Sequence, residues 1–350
     1  MGLKWTDWPD EVLRQLRRGC VIPASPLALN KSREFDPIRQ AALARYYIDS
    51  GAGGIATGVH TTQFEIRDVG LYEPVLANTV EAIDAWTDKP VIRIAGLVGK
   101  TRQAISEAHI ARGLGYHAGL LSLAAFKGSN EDDIIDHCRA VADEIPLIGF
   151  YLQPSVGGII LSPDFWRRFA EIENVVAIKM APFNRYYTLD VLRGVALARA
   201  EDRISLYTGN DDNIVLDLIT PYDIKRGDEN VTLRFVGGML GHWSVWVRGA
   251  VDVLRKCQEE ALDKSHLVLN GQVTDCNAAF FDVANNFKGC IAGVHEVLRR
   301  QGLLEGIWCL NEEETLSPGQ LDEIDRVRRD YPDLNDDAFV AENLTRWLSP

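Results

Sequence analysis

The feature that most constrains this chain is a repeated alternation. Eight short apolar runs are each closed by Gly, Pro or a polar residue, with helical stretches between them. The runs are Cys20-Val21-Ile22-Pro23, Gly54-Ile55-Ala56-Thr57, Pro90-Val91-Ile92-Arg93-Ile94 and Gly119-Leu120-Leu121-Ser122, then Leu147-Ile148-Gly149-Phe150-Tyr151, Val175-Val176-Ala177-Ile178-Lys179, Ile204-Ser205-Leu206-Tyr207-Thr208 and Leu233-Arg234-Phe235-Val236-Gly237. Runs of this length, bounded by turn signals, suit strands buried on both faces. Residues 36–50, 101–113, 131–143 and 163–171 carry helical periodicity, and Ser162-Pro163 is an N-cap followed by proline at the first helical position. Eight such units favour a closed parallel (β/α)8 barrel, in α/β class, over an open doubly wound sheet. No GxGxxG follows the first run, which argues further against a dinucleotide-binding sheet.

The alternation divides the chain into three parts. Residues 1–18 read as an amphipathic helix with Trp5, Trp8, Val12, Leu13 and Leu16 on one side. The barrel is expected over 19–255. A helical extension fills 256–350, with breaks near Asn270-Gly271 and Lys288-Gly289, one polar helix after Pro318, and a short last segment after Pro332 that ends in Trp347. Residues 221–232 read as a polar loop before the eighth strand.

A net charge of -13 argues against nucleic acid as a partner, since phosphate binding needs clustered Lys and Arg. No run of apolar residues is long enough to span a membrane, and no secretory signal is legible at Met1-Gly2-Leu3-Lys4. Thr6 fits the spacing of a myristoylation motif after Gly2, a match that chance explains. The six cysteines include no CxxC pair, so reduced thiols in a cytoplasmic protein are expected, with no metal and no cofactor.

In such barrels the chemistry sits where strands end. Lys179 directly follows Val175-Val176-Ala177-Ile178, at the rim of an apolar interior. Partial desolvation there favours the neutral amine, the form that attacks a ketone. Tyr151 closes the preceding strand and offers a phenol for proton transfer. Thr61 and Thr62 follow the second strand, with hydroxyls and amides suited to a carboxylate. Taken singly, each of these positions has an ordinary structural explanation.

Taken together they resemble the dihydrodipicolinate synthase/N-acetylneuraminate lyase family of class I aldolases. His60-Thr61-Thr62-Gln63-Phe64-Glu65 is similar to its Gly-Thr-Thr-Gly-Glu, Tyr151-Leu152-Gln153-Pro154 to its Tyr-Asn-x-Pro, and Ile178-Lys179-Met180-Ala181 to its Ile-Lys-Glu/Asp-Ala. Thr208-Gly209-Asn210-Asp211 resembles its Ser-Gly-Asp-Asp. The resemblance spans about residues 19–300. It implies a Schiff base on Lys179 with a 2-oxo acid such as pyruvate, proton relay by Tyr151, and carboxylate binding by Thr61 and Thr62. Gly209, Asn210 and Gly237 are expected against the substrate. It also implies a homo-oligomer, a dimer or tetramer.

Departures from the pattern narrow the activity. His60 and Gln63 replace both glycines around the threonine pair. Leu123-Ala124-Ala125-Phe126 carries no hydroxyl where the synthases place a tyrosine, and Val156 stands where they place an arginine. A carbon–carbon lyase or aldolase is therefore expected, but not the lysine-pathway synthase. The alternatives are a sugar-acid dehydratase using the same imine, a phosphate-handling enzyme built on Gly237-Gly238 and Gly241, and a non-catalytic small-molecule binder. His242, Trp243 and Trp246 follow the last strand, either lining an altered pocket or packing the last barrel helix.

Overall fold

A computed structural model describes residues 2–349. Eight parallel strands form the barrel: β1 (Val21–Pro23), β2 (Gly54–Thr57), β3 (Ile92–Leu97), β4 (Ala118–Leu121), β5 (Leu147–Leu152), β6 (Val175–Ala181), β7 (Ser205–Thr208) and, after a hairpin, β10 (Phe235–Leu240). Each pairs in parallel with its neighbour, and β10 returns beside β1. Closure between β1 and β2 is made by a bridge at Ala24 and Ala56, where Ser25 N–H donates to the Ala56 carbonyl at 2.8 Å.

The returning helices are α2 (Pro37–Ser50), α3 (Tyr72–Trp86), α4 (Thr101–Gly113), α5 (Glu131–Ala142), α6 (Pro163–Ala170), α7 (Arg185–Leu197), α8 (Ile214–Ile219) and α9 (Val247–Glu259). Ser162 caps α6 as its sequence requires, accepting the Phe165 N–H at 3.1 Å. Two apolar clusters result. One fills the barrel interior with Ile22, Ile94, Leu120, Ile148, Phe150 and Ala177. The other lies between the strands and the helices.

Several expectations are corrected. Residues 221–232 are not a loop: β8 (Tyr222–Arg226) and β9 (Glu229–Leu233) form an antiparallel hairpin around Gly227, whose φ is +59°. Ile224, Val231 and Leu233 alternate inward among charged neighbours, the signature of a half-buried ribbon. The hairpin takes up Leu233, so the eighth barrel strand starts and ends later than its apolar run implied.

The segment before the barrel is not one helix. Pro9 separates a single turn, Trp5–Asp7, from α1 (Asp10–Arg18). Trp8, Val12 and Leu16 plug the lower mouth of the barrel, where Tyr207 donates its hydroxyl to the Leu16 carbonyl at 2.8 Å.

Beyond the barrel, α10 (Lys264–Phe280) runs unbroken through Asn270-Gly271. Packing outweighs the cost of about 1 kcal/mol for one helical glycine. Two further helices, α11 (Cys290–Arg300) and α12 (Gln320–Asp330), precede α13 (Asp337–Trp347). The last segment is thus a full helix, and it docks on α2. Trp347 is buried 5.4 Å from the Tyr46 ring, and its Nε1 donates to Asp49 at 2.7 Å. Met1 and Pro350, at the outer ends of the expected first and last parts, lie outside the described residues.

Candidate active site

A cavity opens at the upper end of the barrel, where the strands end. Lys179 reaches it from β6, only 8% exposed. Burial pulls its amine below the ordinary lysine range, and the Asp211 carboxylate opposes that pull by favouring the ammonium. Asp211, just after β7, lines the same cavity. Burial pushes its carboxyl up, while the His242 backbone N–H, donated to Oδ1 at 2.9 Å, and the Lys179 charge hold it down. Two buried groups are thus driven toward a common neutral range, which suits proton exchange between them and a bound molecule.

Room for the lysine comes from Gly209, where a Cβ would stand 2.7 Å from Lys179 Cε. Gly209 therefore touches the amine's own side chain. Asn210 is fully buried with both ends of its amide engaged. Its Nδ2 donates to Asp217 at 2.8 Å, and its Oδ1 accepts the Phe183 N–H at 3.1 Å. It shapes the turn that presents Asp211 and holds no hydrogen-bonding group toward the cavity.

The threonine loop is built differently from the sequence expectation. Residues His60–Thr62 form a one-turn helix. The Thr62 hydroxyl is buried, accepts the Gly58 and Val59 N–H groups at 3.0 and 3.2 Å, and donates to the Ser25 carbonyl at 2.7 Å. It fastens the loop and does not line the cavity. Thr61 does line it, but its hydroxyl proton goes to the Ala24 carbonyl at 2.7 Å. A buried Arg67–Glu107 pair, with Nε and Nη2 each donating at 2.9 Å, braces the loop from behind, and Arg67 also donates to the Gly58 and Gly96 carbonyls. His60 lines the cavity as a neutral ring, its pKa lowered to about 4 by burial and then by the nearby Lys179.

Tyr151 does not meet Lys179. It points outward between barrel and helices, fully buried against Trp166 at 4.9 Å and Tyr187 at 5.8 Å. Its hydroxyl accepts the Leu161 N–H at 3.3 Å, and burial pushes its pKa up to about 12. The inward position belongs to Phe150, which pairs with Lys179 across β5 and β6 and sets its ring 4.6 Å from Nζ. The cause is a bulge. Leu147 pairs with Val175, but Ile148 pairs with Ala177, so the offset changes from 28 to 29 residues just below the site.

Gly237 is also displaced from its expected place. It lies inside β10, where a Cβ would meet the Cys20 backbone at 2.5 Å and the Tyr207 ring at 2.8 Å, at the plugged end of the barrel. Gly238 packs on Trp243, so these two glycines form no phosphate cradle. Gly241 reaches the cavity instead. The His242 ring packs on Phe280 at 5.3 Å with a 46° tilt, and only its backbone N–H serves the site.

The remaining wall is apolar, and sequence reasoning missed most of it. Phe150, Phe183, Phe281 and Phe287 surround the amine, with Leu152, Val156 and Cys290, while Gln153 contributes an amide. Phe183 and Phe287 have φ of +50° and +66°, and Gln63 and Asp282 nearby are at +65° and +55°. L-residues pay about 1–2 kcal/mol each for this backbone region. Among the described residues, Lys179 is the one cation on the wall, and no group of three His, Cys, Asp or Glu is placed to hold a metal. Among the described residues, no helix is long and apolar enough to cross a membrane.

The family profile described as the dihydrodipicolinate synthetase family matches residues 18–221. A 4-hydroxy-tetrahydrodipicolinate synthase of Staphylococcus saprophyticus is 26% identical over 235 residues, 61% of this chain and 76% of the relative. The synthase of Desulforudis audaxviator is 28% identical over 228 residues, 63% of this chain and 72% of the relative. Solved structures of similar fold include the chloride-inhibited dihydrodipicolinate synthase of Acinetobacter baumannii complexed with pyruvate (TM-score 0.74, 20% identity, 89% of this chain and 98% of that one). Another is CdNal of Clostridium difficile in complex with mannosamine (TM-score 0.72, 14% identity, 89% and 99%).

Proposed function

Because the chain belongs to the dihydrodipicolinate synthetase family of class I aldolases and lyases, we propose that it forms or cleaves a carbon–carbon bond through a Schiff base between Lys179 and a 2-oxo acid such as pyruvate. The observation that carries this reading is a buried amine, lowered by desolvation, sharing one cavity with a buried acid. The Lys179 amine attacks the ketone carbon, and the ketone oxygen leaves as water. The protonated imine then draws electrons from the adjacent carbon. In synthesis Asp211 removes the C3 proton. In cleavage it takes the C4 hydroxyl proton as the C3–C4 bond breaks, and returns it to the enamine. Asp211 fills the shuttle role expected of Tyr151, which the outward-facing phenol cannot reach.

The carboxylate of the 2-oxo acid is held by the backbone N–H groups of His60 and Thr61 and the Gln153 amide, the Thr62 N–H being given to the Val59 carbonyl at 3.0 Å. The Thr61 hydroxyl, already donating to Ala24, does not supply a proton. The reaction is distinct from that of the lysine-pathway synthase. In support, Val156 lines the cavity where the arginine is absent, and Phe126 after β4 packs on His137 at 4.4 Å, away from Lys179. We further propose a homo-oligomer, supported by Leu262 and, on α10, Leu267 and Val268, which are 65%, 58% and 61% exposed.

Incubation with pyruvate and borohydride, read by intact mass, tests the imine. The expected result is a single stable adduct, abolished by Lys179→Ala in a folded protein. An undiminished adduct in that variant would move the nucleophile to another lysine. No adduct across a panel of 2-oxo acids would favour a non-catalytic binder.

A further inference from the structure

The imine fixes one end of the substrate, and the cavity wall describes the other. Around Lys179 the wall is Phe150, Phe183, Phe281 and Phe287, with Leu152 and Val156. A polyhydroxylated aldehyde needs a partner for each hydroxyl it takes from water, and an unpaired one costs binding. Beyond Asp211 and the neutral His60 ring, few polar groups remain to serve it. The Thr61 proton is given to Ala24, and the Gln153 carbonyl oxygen already accepts the Ser155 hydroxyl at 2.7 Å. An aromatic ring asks for no such partners and gains from edge and face contacts with other rings.

A second observation points the same way. Phe183 and Phe287 both hold left-handed backbone conformations, and their rings meet at 6.1 Å and 70° in a T-shaped pair. Phe183 is fixed there by its N–H bond to the buried Asn210 amide. Phe287 donates its own N–H to the Asp282 carbonyl at 3.0 Å. Two separate loops, one after β6 and one after α10, thus accept backbone strain to bring two rings together beside the amine. Plain apolar bulk would not require this.

We infer that the aldehyde joined or released at Lys179 is aromatic, its ring seated against Phe183, Phe281 and Phe287. The inference rests on the imine reading above. With pyruvate and benzaldehyde, the enamine carbon bonds to the aldehyde carbon. The carbonyl π pair becomes an alkoxide, which takes a proton from Asp211. Water then hydrolyses the imine, giving 4-hydroxy-2-oxo-4-phenylbutanoate and the free amine, with no net oxidation or reduction.

The test uses the full chain with pyruvate and, separately, benzaldehyde or glycolaldehyde. Borohydride trapping of pyruvate without aldehyde is run in parallel. The expected result is trapping, together with condensation that favours benzaldehyde in kcat/KM. Phe183→Asn and Phe287→Asn keep a residue that tolerates the left-handed backbone while removing the ring. Each should lower the benzaldehyde-to-glycolaldehyde ratio of kcat/KM by about tenfold or more. Trapping without condensation onto benzaldehyde, or with a preference for glycolaldehyde, overturns the aromatic assignment and leaves the imine standing. An unchanged ratio in both folded variants overturns it equally. Failure to trap any 2-oxo acid overturns the imine and this inference with it.

Discussion

Phe150 and Tyr151 are chain neighbours with opposite fates: the first sets its ring 4.6 Å from Lys179 Nζ, and the second is sealed outside the barrel against Trp166. Phe150 supplies an aromatic face to the amine but no proton. The acid–base role proposed for Asp211 thus rests on a residue that follows β7, the strand paired with the lysine's own.

Tyr151→Phe removes only the hydroxyl that accepts the Leu161 N–H. Turnover is expected to stay within about twofold of the wild type, with stability lowered by about 0.5–1.5 kcal/mol. Steady-state kinetics and a thermal melt check this. A loss of a hundredfold in a variant that melts normally would return the shuttle to Tyr151.

Asp211→Asn removes the negative charge that favours the Lys179 ammonium. Trapping requires the neutral amine, so its rate rises with pH through the lysine pKa. Without Asp211 that midpoint moves to lower pH. Exchange of the pyruvate methyl protons with deuterium, followed by NMR, should slow by about 10²–10⁴-fold. A midpoint that stays put or climbs would separate the two groups electrostatically.

Gly209→Ala places a methyl 2.7 Å from Lys179 Cε. The lysine must swing aside, and trapping should fall at least about tenfold while the circular dichroism spectrum is kept. Trapping at the wild-type rate would mean that the side chain has a second route to the cavity.

Thr62→Val breaks three buried hydrogen bonds to backbone groups. The expected cost is about 1–3 kcal/mol of stability, read by denaturant unfolding. Weaker binding of a 2-oxo acid then follows from a loosened loop. Lost affinity at unchanged stability would instead assign the hydroxyl to the ligand.

Lys179 was legible because β6 is buried on both faces, so that Val-Val-Ala-Ile-Lys reads directly as a strand with an amine at its rim. The inward aromatic was not, because the side that a strand residue faces depends on its parity, and a bulge at Ile148 and Ala177 resets the count. A fixed spacing of 28 residues carries no trace of that shift. The β8–β9 hairpin left a signal in the alternation of Tyr222, Ile224, Val231 and Leu233, which its charged neighbours obscured. Asp211 follows the Gly-Asn turn in plain view, yet only the fold sets it on the same cavity as the lysine. Phe183 and Phe287 come from two distant loops, and their left-handed backbones have no glycine to announce them, while Phe281 follows the end of α10.

The Gln63 side chain accepts the Leu310 N–H at 2.6 Å, a contact across 247 residues, and the rings of Phe281 and Phe287 are added to the cavity from the same late stretch of chain. A ribosome adding about 5–20 residues per second needs roughly 12–50 s to travel from the first of these partners to the second. During that interval the eight strands are complete before the shelter over Lys179 is. The wall around Lys179 is therefore closed by segments made after the strand that carries it, and its burial is completed only when Phe281 and Phe287 dock.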